Sequence, residues 1–180
     1  MQIRIGSYVA ASFLLENDPN EWHALVLLDS NVQATQFVEM HAQSYCYLRF
    51  DDVEQYVSNK LCPSEAAIDQ GLRFAEGKDK LLVSCRAGQS RSVAMAYLIA
   101  CRMQGTSDAL KLLNPARHRP NRLIVSIGSA LLPVPDALDK FDEWRQQNAH
   151  VRLSDHYEEI ERELDVLELQ GATNRICGNS

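Results

Sequence analysis

The tract from Lys80 to Met103 leaves this chain few ways to fold. Lys80 to Ser84 (KLLVS) is a short apolar run that reads as a buried strand. Ser92 to Met103 (SVAMAYLIACRM) is nearly all apolar and too long for an ordinary strand, so it reads as a buried helix. A strand that passes through a short loop into a buried helix is half of a βαβ unit, which belongs to sheets covered by helices on their faces.

The remaining text agrees with that layering. His23 to Leu28 (HALVLL) and Tyr45 to Phe50 (YCYLRF) read as two further buried strands. Between the second strand and Lys80, Pro63-Ser64-Glu65 supplies a helix start, followed by apolar residues at Ala67, Ile68, Leu72 and Ala75. Helical spacing recurs over Thr106–Leu113 after Gly105, over Asn121–Leu132, and over Asp136–Gln147 after the Pro133-Val134-Pro135 break. The expected fold class is therefore α/β, a central mostly parallel sheet flanked by helices. Residues 1–150 are expected to form one catalytic domain. Residues 151–180 are expected to add an acidic amphipathic C-terminal helix over Val151–Leu169 and a loose tail.

Between the strand and the helix stand Cys85-Arg86-Ala87-Gly88-Gln89-Ser90-Arg91-Ser92. A loop from a strand end to a helix start gathers backbone N–H groups at one spot and adds the positive end of the helix, which makes an anion cradle. Gly88 allows a tight bend without a side chain in the cradle. Arg91 offers a planar fork that can bind two phosphate oxygens at once. The expected phosphate loop is thus Arg86, Ala87, Gly88, Gln89, Ser90 and Arg91. The same donors stabilise the thiolate of Cys85, so one device would bind a dianion and activate a nucleophile. Ser92 can donate a hydrogen bond to the sulfur as it departs.

Composition narrows the partners. A net charge of −6 with no basic block argues against a nucleic-acid partner, so any phosphate site must be local. The five cysteines fall at irregular spacings without a CxxC pair, which suggests neither a disulfide framework nor a zinc site. Met1 to Ile5 lacks the pattern of a signal peptide, and no apolar stretch is long enough to span a membrane. A cytoplasmic location, without membrane, metal or cofactor, is the expectation.

The spacing Cys85, five residues, Arg91, Ser92, with Gly88 third among the five, resembles the signature loop of the cysteine-dependent protein tyrosine phosphatases. The text AGQSRSVAMAYLIA is most similar to the dual-specificity branch. The resemblance runs over Ile5–Leu132, from Ile5-Gly6-Ser7 through Arg117-His118-Arg119-Pro120-Asn121, which is similar to the stretch that supports the phosphate loop in that family. It implies that Cys85, Arg91, Asp52 and Ser92 are catalytic. Asp52 falls where the family has its general acid, with Asp51 as the nearest competitor. Ser84 stands where the family usually has histidine.

The resemblance implies hydrolysis of phosphotyrosine, with phosphoserine and phosphothreonine as the wider class, in a phosphorylated protein partner through a cysteinyl-phosphate. Gln89 and Ser90 are neutral and only Arg86 adds charge inside the loop, which favours a protein substrate over a phosphoinositide or an RNA 5′-phosphate. A phosphate-binding module without turnover would need no nucleophilic thiol. The histidines lack a second ligand at metal-binding spacing. For Arg86 a substrate contact and a solvated charge both remain open.

Overall fold

The computed structural model describes residues 1–178. Asn179 and Ser180, the end of the expected 151–180 segment, lie outside the described residues. The sheet grows from β2 (His23–Leu28), whose six residues are all buried. Its side chains alternate between two faces, as a strand's must. Leu25 and Leu27 enter one core, while Ala24, Val26 and Leu28 enter the other. β2 pairs in parallel with β3 (Ser44–Arg49) and with β4 (Lys80–Cys85), and β4 pairs in parallel with β1 (Gln2–Ser7). The order is β1-β4-β2-β3, so β4 and β2 lie in the middle.

The larger core lies between one sheet face and five helices: α3 (Glu65–Phe74), α4 (Arg91–Gln104), α5 (Thr106–Leu110), α6 (Arg122–Ser129) and α7 (Ala137–Gln147). α4 is buried without interruption from Arg91 to Cys101, and Tyr97 donates from its hydroxyl to the Ala137 carbonyl at 2.7 Å. α3 starts where the sequence places it, with Ser64 Oγ accepting from Ala67 N–H. α5 follows the Gly105 stop.

The smaller core lies on the other face under α1 (Tyr8–Asn17) and α2 (Phe37–His41). The sequence pattern hides α1 because Tyr8, Ala11, Ser12 and Leu15 are buried while Leu14 packs beside them, which leaves no clean polar stripe. α8 (Leu153–Leu169) forms as expected. The end of the chain is not loose over its described part. Ile176 is fully buried in the smaller core, its carbonyl accepts from Thr35 N–H at 2.9 Å, and Ala34 bridges Cys177. Arg175 N–H donates to Ser12 Oγ, and its guanidinium pairs with Glu16 at 2.7 Å. Short apolar residues in a polar text, Ala172 and Ile176, are what dock it.

Candidate active site

In a parallel sheet all strands deliver their carboxyl ends to one edge, and ligands gather there. β4 ends at Cys85, β2 runs out into Asp29, and β3 into Phe50, Asp51 and Asp52. Cys85, Asp29, Asp51 and Asp52, with Arg86, Ala87, Gln89, Ser90 and Arg91, surround one pocket of about 510 Å³, to which Asn31, Val32, Val53 and Lys60 add walls.

The loop bends at Gly88, whose φ is +68°. A Cβ there would come within 2.4 Å of the Ser7 backbone nitrogen and 2.5 Å of the Gly6 carbonyl carbon, so both conformation and space require glycine. That contact is where Gly6-Ser7, at the end of β1, seats the loop. Cys85 Sγ lies 3.1 Å from Ser92 Oγ at the first turn of α4.

Arg91 begins α4 and is only 2% exposed. Its Nη1 donates to the Phe50 carbonyl at 2.8 Å, and Nη2 lies 2.8 Å from Asp29 Oδ1. Its Nε is buried without a hydrogen-bond partner and stands 3.9 Å from Asp52 Oδ2. The guanidinium is thus held from behind while one N–H remains unmatched.

The two acidic neighbours have different surroundings. Asp51 is buried, and its carboxylate accepts from Ser30 N–H at 3.0 Å, Ser30 Oγ at 2.8 Å and Leu61 N–H at 3.0 Å. The Ser30 amide, followed by its hydroxyl and the Leu61 amide, holds this carboxyl below its ordinary value despite burial. Asp51 is a clasp between the segments after β2 and after β3. Asp52 Oδ1 accepts from Ser90 Oγ at 2.9 Å and from Asn121 Nδ2 at 2.7 Å, which leaves Oδ2 on the Arg91 side. Asn121 is fully buried and also donates to the Val53 carbonyl, while its Oδ1 caps α6 by accepting from Ile124 N–H.

Cys85, Arg91, Asp52 and Ser92 come together, and Ala87, Gly88, Gln89 and Ser90 form the turn between them. Arg86 projects outward, exposed at the rim. Ser84 Oγ is buried without a partner. Among the described residues no cluster of three His, Cys, Asp or Glu side chains could hold a metal ion, and no helix is long and apolar enough to cross a membrane.

No family model matches the chain, and no curated protein matches it in sequence. Solved structures do match it in shape. The PTP-2 phosphatase of Cydia pomonella superimposes with a TM-score of 0.52 at 17% identity, over 72% of this chain and 85% of that one. The human tyrosine phosphatase-like serine/threonine/tyrosine-interacting protein gives 0.54 at 19% identity, over 72% and 89%. The chain has the tyrosine phosphatase fold.

Within this tyrosine phosphatase fold, the sequence pattern missed Asp29 and the second role of Asn121. Asp29 reads as a polar stop after HALVLL, and its one available signal is its position just past the carboxyl end of a fully buried strand. Asn121 shows in the sequence only as the start of a helical stretch and the end of a tract similar to a loop support, and nothing local reports that it reaches Asp52 across 69 positions of chain.

Proposed function

We propose that the chain is a phosphomonoester hydrolase that works through a cysteinyl-phosphate, with phosphotyrosine, and the wider set of phosphoserine and phosphothreonine, in proteins as its substrates. The single observation that carries the reading is the buried, unpartnered Nε–H of Arg91 in the turn that begins at Cys85. An orphaned buried donor is costly, and a phosphate oxygen is the acceptor that such a turn holds best.

Cys85 Sγ attacks phosphorus and the bond to the leaving oxygen breaks, while Asp52 Oδ2 delivers a proton to that oxygen. Arg91 and the loop amides hold the equatorial oxygens. Water then attacks the phosphocysteine, Asp52 takes its proton, and Ser92 Oγ, 3.1 Å from Sγ, supports the departing thiolate. The reaction returns the thiolate and inorganic phosphate. No metal enters these steps.

Neutral Gln89 and Ser90 support a protein substrate. The test is turnover of para-nitrophenyl phosphate in chelator, with acid-quench mass spectrometry of Cys85 and a panel of phosphopeptides, a phosphoinositide and a 5′-phosphorylated RNA. Turnover that disappears in Cys85→Ser, a phosphate adduct on Cys85 and preference for the peptides are expected. Turnover indifferent to Cys85→Ser overturns the mechanism, and preference for the lipid or the RNA overturns the substrate class.

A further inference from the structure

A second cleft, of about 450 Å³, opens in the crook between the 115–120 segment, the end of α7 and the start of α8. Its size falls in the range of small-molecule sites. Its chemistry runs against that of the protein as a whole. In a chain of net charge −6, no carboxylate lines it, while Arg119, Arg145, His118 and His156 do, beside the apolar walls of Trp144 and Pro120.

The arginines have donors to offer. Arg145 Nη1 is buried and has no hydrogen-bond partner, while its Nη2 reaches Glu54 only at 3.7 Å. Arg119 is exposed and forms no ion pair among the described residues. The imidazoles are mainly structural. His118 is pushed down to about 4 by burial, with Arg117 beside it, so it is neutral at pH 7. The two ring nitrogens of His156 each lie 3.2 Å from a carbonyl oxygen, Arg152 O and His118 O, and a neutral ring donates to one of the two.

We infer that this cleft binds a small anion with a flat apolar body, an aromatic carboxylate in chemical class, with the two guanidinium groups on the charge and Trp144 and Pro120 against the ring. The wall of the cleft is joined to the catalytic loop through the backbone. Arg119 N–H donates to the Gln89 carbonyl at 3.0 Å, and the next wall residue, Pro120, leads into Asn121, which holds Asp52. The cleft shares no lining residue with the catalytic pocket.

The probe is 1-naphthoate, titrated into the full chain by calorimetry and by tryptophan fluorescence in Trp22→Phe, which leaves Trp144 as the reporter. Saturable binding is expected, weakened about tenfold or more by Arg145→Met and by Arg119→Met, as loss of a charge-assisted contact implies. The neutral analogue 1-naphthalenemethanol should bind about tenfold more weakly. Arg119 is exposed, so its substitution reads binding without threatening the fold. Binding that survives both substitutions, no saturation, or displacement by orthovanadate, which would place the probe in the catalytic loop, each overturns the inference. Calorimetry does not depend on turnover, so a failure here is distinct from a failure of the phosphatase reading.

Discussion

Arg91 Nη2 lies 2.8 Å from Asp29 Oδ1, a pair 3% and 20% exposed in their side chains, and this contact fixes the guanidinium plane at the base of the pocket. Together with the Phe50 carbonyl, Asp29 leaves Nε free of protein partners.

Asp29→Ala should lower kcat/KM for para-nitrophenyl phosphate roughly ten- to a hundred-fold, the scale of a lost hydrogen bond to a charged group. Asp29→Asn, which keeps an acceptor oxygen, should retain most of the activity. Tighter inhibition by inorganic phosphate in Asp29→Ala would instead show Asp29 competing with the substrate.

Asp52→Asn should cut kcat about a hundredfold and flatten the alkaline limb of the rate profile, because the group whose deprotonation ends turnover is gone. Asp51→Asn should leave that limb in place. A profile that loses its alkaline limb only in Asp51→Asn would exchange the two roles.

Asp51 should act on stability. Removing its carboxylate in Asp51→Ala strands the Ser30 and Leu61 amides and should cost about 2 kcal/mol in urea denaturation. Its pKa is depressed in the folded state, so its contribution is full above the ordinary carboxylate range and is lost as pH falls through the lower folded value. The stability difference between wild type and Asp51→Ala should therefore shrink below about pH 4. An unchanged difference down to pH 2 would contradict the clasp.

Gly88→Ala should abolish turnover and cost about 1–3 kcal/mol, since φ is +68° and the new methyl meets the Gly6-Ser7 backbone. Full activity in this variant would mean that the loop does not seat on β1.

Ile176→Ala should destabilise the fold by about 2–5 kcal/mol, as expected for a buried isoleucine. A change within about 0.5 kcal/mol, the range of surface positions, would return the tail to the loose state the sequence pattern implies.

The three apolar strands, the α4 tract and the turn from Cys85 to Arg91 were legible because each is local: burial period, caps and a glycine stop act within a few residues. β1 showed only as Ile5-Gly6-Ser7, and α1 not at all, because burial on several sides erased its polar stripe. The docking of Ile176 was hidden because two apolar residues in a polar tail have no period to read.

The sequence by itself determined the α/β layering and placed Cys85, Gly88, Arg91 and Ser92 within one turn, since their spacing is a matter of adjacent backbone. Only the tertiary structure gave Asp51 and Asp52 their different partners, brought Asp29 to Arg91 and Asn121 to Asp52, and docked the tail. These are contacts between the carboxyl ends of different strands and distant loops. Parallel pairing sets their distances, and no local pattern records which strands will be neighbours.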